Sequence, residues 1–269
     1  MSRWQTRSTK KLLNKHVFIL GGTKGIGFAV AEACLESGAK VTILGSTQTT
    51  VKIAVAKLRS ANPFYAQQIN DGVACDLSNP TDIEQDLETA VSSASTSAAP
   101  LDHLVQCAGP AHCAMGESLD ILSPSQIASL AHWRTVVPVI VAKVAARYLP
   151  KDNTLSLVLT GRSPADNPLP GRPLVNYFVA ALKGLAKGLA LDLKPTRVNI
   201  VEPGVVVETG LYDHLSAEER AGLFGYVAAA APVGKAARPE DVAEAYLWLL
   251  KDSNATGVSV MTSGGMLLL

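Results

Sequence analysis

The stretch FILGGTKGIGFAV, residues 18–30, constrains this chain more than any other. Glycines at 21, 22, 25 and 27 stand directly between an apolar run, HVFIL, and a helical pattern, GFAVAEACLESG. Strand, glycine turn and helix in that order build a site for a dinucleotide pyrophosphate. Gly21 permits the tight turn, Gly25 lets the backbone approach the phosphates, and Gly27 lets the helix pack closely. Thr23, Lys24 and Ile26 complete the turn, and the amides at the start of the helix face the anion.

The rest of the chain repeats the alternation. Apolar runs at 16–20, 40–44, 72–77, 101–109, 155–161, 197–204 and 257–265 read as strands, with helical patterns between them. Runs of this kind are nearly all apolar, as parallel strands covered on both faces are. Connections between parallel strands are right-handed. The expectation is an α/β, Rossmann-type doubly wound sheet of about seven parallel strands with helices on both faces. Residues 16–269 read as one domain and residues 1–15 as a basic N-terminal extension; VSSASTSAAP (91–100) reads as a surface loop within the domain.

Composition excludes several classes. A chain of 269 residues with 48% hydrophobic and 17% charged residues is globular, and a net charge of +1 gives no electrostatic case for nucleic acid. No signal-peptide core follows the basic start, and no apolar run of membrane-spanning length is evident, so no membrane partner is expected. Cys34, Cys75, Cys107 and Cys113 form no CxxC pair. They read as buried hydrophobes in a reducing compartment, which suggests the cytoplasm.

The second strand ends LGSTQ, with Ser46 and Thr47 where a carboxylate would bind the ribose 2′-hydroxyl of NAD. Two hydroxyls, with Lys24 within reach of the same ribose, suit a 2′-phosphate. The cofactor reading is therefore NADP(H), although Lys24 also fits the role of a solvated surface lysine.

Taken together these features resemble the short-chain dehydrogenase/reductase family over nearly the whole chain. GGTKGIG is similar to the family's TGxxxGIG turn, with Leu20 in the threonine slot. CDLSNP is similar to the segment that meets the adenine, which implies contacts from Asp76 and Leu77. QCAG matches the NNAG segment at Ala108 and Gly109, with Cys107 beside them. RVNIVEPGVV is similar to the strand and loop at the nicotinamide, which implies Pro203, Gly204, Val206 and Thr209 there. Members commonly form dimers or tetramers, so the resemblance implies a homodimer or homotetramer.

The chemistry departs from the family. Its members typically reduce carbonyls with an Asn, Ser, Tyr and Lys set. Counting back from RVN, the tyrosine and lysine slots fall on Val175 and Val179. The serine slot falls on or near Thr160 and Gly161, and the asparagine slot on Arg134. Tyr177 and Lys183 are six residues apart, which at about 100° per residue leaves them on separate helix faces. They do not form the family's pair.

A proton donor is needed for ordinary carbonyl reduction but not for hydride addition to an iminium. Some members lacking the tetrad, fungal alkaloid enzymes, reduce an iminium and then guide a Diels–Alder cyclisation. This chain resembles them in Arg134 and in NPLPGRP (167–173), with Leu169 and Arg172 where they carry an acidic and an aromatic residue. Candidate substrate-pocket residues are His112, Arg134, Gly161, Asp166, Leu169, Arg172, Val175 and Tyr212, and Thr160 is a candidate hydrogen-bond donor. Arg134 suits a substrate anchor or an internal ion pair equally, and Tyr212 suits contact or packing. The substrate reads as a small apolar or cationic molecule. Three functions stay open: an NADPH-dependent reductase of an imine, iminium or activated alkene; a redox-neutral cyclase or isomerase; and a non-catalytic NADP(H) sensor.

Overall fold

In β1 (His16–Leu20), Val17 and Ile19 pack on one side of the sheet, and Phe18 and Leu20 on the other. All five residues are buried, so this strand has to be central. The computed structural model describes residues 10–96, 100–110, 118–163, 166, 168 and 170–268. Within them β1 joins β2 (Lys40–Gly45), β3 (Val73–Ala74), β4 (His103–Gln106), β5 (Ser156–Thr160), β6 (Arg197–Pro203) and β7 (Ser259–Thr262) in one parallel sheet. The order is β3-β2-β1-β4-β5-β6-β7. The expected doubly wound sheet is present, and the strands lie inside the apolar runs except that β2 runs one residue further, to Gly45.

Helices α1 (Gly25–Glu36), α2 (Gln48–Ala61) and α8 (Pro239–Lys251) cover one face, where Val30, Val55 and Tyr246 join Val17 and Ile19. The other face is covered by α3 (Ile83–Ala94), α5 (Val137–Tyr148) and α6 (Pro173–Asp192), through Leu87, Val141 and Leu182. Burying a side chain of this size contributes about 1.5–3 kcal/mol. Among the described residues the remaining α-helices are α4 (Pro124–Ala131) and α7 (Ala217–Ala230). A Ser216/Glu219 capping box opens α7, just as Ser123 and Gln126 cap α4.

Two sequence readings change. Leu12 is fully buried, and the Lys15 ammonium lies 2.7 Å from Asp102, so the domain begins before residue 16. Two helical stretches, Pro124–Tyr148 and Pro173–Asp192, are apolar and long enough to cross a bilayer by length and composition. Here both supply side chains to the core, among them Val137, Val144, Leu182 and Ala186.

Between α4 and α5 the helix widens into a π-turn, His132–Val136. Such turns break the regular ladder and re-aim side chains. A 2.7 Å bond from His132 Nε2 to the Leu77 carbonyl pins it to the loop after β3.

Candidate active site

A cleft of about 580 Å³ runs along the carboxyl ends of β1 to β6. The strand order reverses between β1 and β4, the place where doubly wound sheets bind ligands. At one end lies the glycine turn. A Cβ on Gly21 would come 2.6 Å from the Ala108 nitrogen, one on Gly27 would come 2.2 Å from the Gly21 carbonyl, and one on Gly25 would meet Thr209 Cα at 2.9 Å. No side chain would fit these positions. Helix α1 also starts without a side-chain cap and without an acidic residue in its first turn, whereas Thr47 caps α2. Uncapped helix amides beside a backbone-lined turn fit a pyrophosphate.

Most of the expected cofactor residues line the cleft. Gly21, Thr23, Lys24, Ile26 and Gly27 come from the turn, Ser46 from the end of β2, and Asp76 and Leu77 from the loop after β3. Cys107, Ala108 and Gly109 follow β4, and Pro203, Gly204, Val206 and Thr209 follow β6. Gly25 packs behind them against Thr209. Thr47 is a correction: it is exposed, lies off the cleft, and its Oγ1 accepts from the Thr50 amide at 3.2 Å. Its hydroxyl serves the helix cap. The Lys24 ammonium rests against Gly210 of the 206–211 loop.

The other end of the cleft is where a hydride acceptor would sit. Trp133, Phe178, Val179 and Leu182 form an apolar wall, with Gly161 at the end of β5. Val175 is buried one turn before Val179 and does not line the cleft. Tyr177 is 63% exposed, while Lys183 turns inward to Asp166 and Glu202. The two residues point apart, as their spacing requires.

Thr160 lines the cleft, but its expected donor role is not available. A carbonyl oxygen only accepts, so the single hydroxyl proton of Thr160 goes to the Gln106 carbonyl, and Tyr246 donates to Thr160 at 2.7 Å. Tyr246 lies 86 residues further along, so no local motif announces this contact. Burial pushes the neighbouring Cys107 thiol up to about 11, which leaves it protonated and a poor nucleophile at neutral pH.

Gly161 is backed closely by β6. A Cβ on Gly161 would lie 3.0 Å from Ile200 Cγ2 and 3.2 Å from Glu202 Cγ. Glu202 is 1% exposed, its Oε2 sits 3.0 Å from Lys183 Nζ, and its Oε1 has no hydrogen-bond partner among the described residues. Burial draws the Lys183 pKa down, but the Asp166 and Glu202 carboxylates outweigh it and hold the value above that of an ordinary lysine. Asp166, expected in the substrate pocket, is half of this ion pair and is mostly exposed.

Two arginines reach the cleft, Arg134 from the π-turn and Arg162 from the residue after Gly161. Arg162 was not among the expected residues; its place beside the serine slot was the available signal. Burial lowers its pKa, partly opposed by the Tyr212 hydroxyl and reinforced by the Arg172 charge. Tyr212 itself is buried off the cleft, edge-on to Phe224 with ring centroids 5.5 Å apart, so it packs the loop. Arg172 flanks Arg162 and does not line the cleft. His112 and Leu169 lie outside the described residues.

The chain matches the family model described as an SDR-like Rossmann domain over residues 8–269. It is 37% identical to the short-chain dehydrogenase/reductase malC of Malbranchea aurantiaca, across 98% of both chains. Its structure superposes on that of the MalC reductase/Diels–Alderase from the same organism with a TM-score of 0.87, at 35% identity, covering 98% of this chain and 100% of that one. A small-chain dehydrogenase solved in complex with NADPH shares the fold, with a TM-score of 0.76 at 24% identity over 95% of this chain and all of the other.

Proposed function

This chain belongs to the short-chain dehydrogenase/reductase family, and from that premise we propose that it is an NADPH-dependent reductase of small-molecule biosynthesis whose acceptor needs no proton from the enzyme. The acceptor class is an imine, an iminium or an activated alkene. One observation carries this reading: the glycine turn and the strand ends line one cleft with an apolar wall of Phe178, Val179 and Leu182, and the family resemblance, in turn, puts Val175 and Val179 in the tyrosine and lysine slots. NADPH in the cradle would supply the hydride. Gly21, Gly25 and Gly27 give its phosphates backbone contact, and Lys24 and Ser46 stand where a 2′-phosphate would be recognised. The wall of Phe178, Val179 and Leu182 excludes water and holds the acceptor, which is what positioning can contribute without an acid.

The name of the M. aurantiaca relative, reductase/Diels–Alderase, supports a second reading in which the same pocket guides a cyclisation. We also read the protein as a cytoplasmic homodimer or homotetramer, since Val136, Val139, Tyr177 and Trp248 expose apolar surface on its helices.

The test follows NADPH absorbance with three acceptors: N-methyl-3,4-dihydroisoquinolinium, cyclohex-2-enone and cyclohexanone. Oxidation with one of the first two and little with the saturated ketone is expected. Ready oxidation with cyclohexanone, or none with any acceptor, refutes the reductase reading. Product formed equally with NADP+ supports the cyclase.

A further inference from the structure

The adenosine end of the cleft and its acceptor wall come from distant parts of the chain, and one side chain joins them. β3 is two residues long and lies at the sheet edge, paired with β2 alone. Few ladder bonds therefore fix the loop that follows it, which brings Asp76 and Leu77 to the cleft. The Leu77 carbonyl is held by His132, 55 residues further on, whose Nε2 lies 2.7 Å away in a buried contact. His132 opens the π-turn, and the next residue, Trp133, lines the cleft. The two rings meet edge-on, with centroids 5.5 Å apart and planes at 81°.

A carbonyl oxygen only accepts, so His132 carries a ring proton on Nε2. Its Nδ1 is buried without a hydrogen-bond partner among the described residues, so the bond to Leu77 sets the direction of the ring. Leu77 is itself buried in the cluster that holds Val137 of α5. Side chain and carbonyl thus tie the loop to one helical column.

We propose that His132 is a positioning residue that couples the adenosine end of the cleft to its acceptor wall. The family resemblance puts the adenine against Asp76 and Leu77. With the loop after β3 held by bound adenosine, the Leu77 carbonyl fixes His132, and His132 fixes the π-turn on which Trp133 and Arg134 stand. Coupling is carried by such chains of bonded and packed groups. The π-turn suits the task, because its ladder is already interrupted and a small backbone movement re-aims the side chains that follow. Linkage makes the effect reciprocal: an acceptor seated against the wall tightens the adenosine end in turn. The proposal rests on NADP(H) lying in the cleft and not on which acceptor is reduced.

The experiment reads Trp133 fluorescence while only the adenosine end is filled. Adenosine 2′,5′-bisphosphate is the probe, since it carries the adenosine and the 2′-phosphate but no nicotinamide. The chain has three tryptophans, so Trp4→Phe with Trp248→Phe leaves Trp133 as the sole emitter. In this background, saturating probe should shift the emission and change its quenching by acrylamide. His132→Gln, which keeps an N–H at the reach of Nε2, should retain the change. His132→Phe keeps a ring beside Trp133 but has no donor. It should lose most of the change at saturation and bind the probe about two- to tenfold more weakly, the range for a net hydrogen bond. Probe binding with Trp133 silent overturns the proposal even if no variant folds, and leaves the cofactor site standing without the coupling. A phenylalanine variant with the full change also overturns it, as does a glutamine variant no better than phenylalanine. Failure to bind either the probe or NADPH refutes the cofactor site and the coupling together.

Discussion

Replacing Lys183 with methionine removes the one cation, among the described residues, paired with the buried Glu202 carboxylate. Glu202 is 1% exposed, Lys183 Nζ sits 3.0 Å from its Oε2, and Oε1 has no partner to share the charge. Removing one member of a buried pair costs about 3–5 kcal/mol. The Lys183 side chain is 20% exposed, so water softens the loss and the lower end, about 3 kcal/mol, applies. Each kcal/mol lowers the melting temperature of a domain this large by about 2–4 °C, so a fall of about 6–12 °C is expected. The folded Lys183 pKa is raised above 10.5, so its contribution is full at pH 7 and disappears only as pH climbs through the raised value. Glu202→Gln in the methionine background removes the stranded charge and should recover most of the loss. Urea unfolding of the parent, both single variants and the double variant closes the cycle. A Lys183→Met protein within about 0.5 kcal/mol of the parent refutes the reasoning, as does a double variant no more stable than it.

Further outcomes follow from other residues. Lys24→Ala should weaken NADPH about tenfold while leaving NADH affinity nearly unchanged, as nucleotide fluorescence titration would show; equal losses for both would remove the 2′-phosphate assignment. Val175→Tyr with Val179→Lys should not give efficient cyclohexanone reduction, because Gly161 still offers no hydroxyl; steady-state rates near those of a family enzyme would contradict this. His103 is fully buried, and burial drops its pKa to about 3, against an ordinary 6.5. Its unfolded form therefore binds the proton first, and stability falls with pH between those values. By pH 4.5 the loss is about 2–3 kcal/mol relative to pH 7, and His103→Asn should flatten that part of the curve in urea titrations.

The fold was legible because each parallel strand is apolar on both faces. Runs such as HVFIL and RVNIVEP therefore stand out without any partner being known. The cofactor cradle was legible for a similar reason, since its glycines are adjacent in sequence and act through one local turn. The acceptor end was not. Thr160 looked available until Gln106 and Tyr246, 54 and 86 residues away, took its proton and its lone pair. Lys183 looked incidental because its partner Glu202 comes from the next strand, β6. Asp166 and Tyr212 had suitable chemistry but are held by contacts that only packing reveals. Thr47 had the right residue type and was already serving as a helix cap.

Gly161 also couples the end of β5 to the ion pair behind it. A Cβ there would lie 3.0 Å from Ile200 Cγ2 and 3.2 Å from Glu202 Cγ, so a side chain at this position asks both neighbours to give by a few tenths of an ångström. Glu202 is held by Lys183, so the room for a hydroxyl beside the cleft depends on a lysine that does not line it.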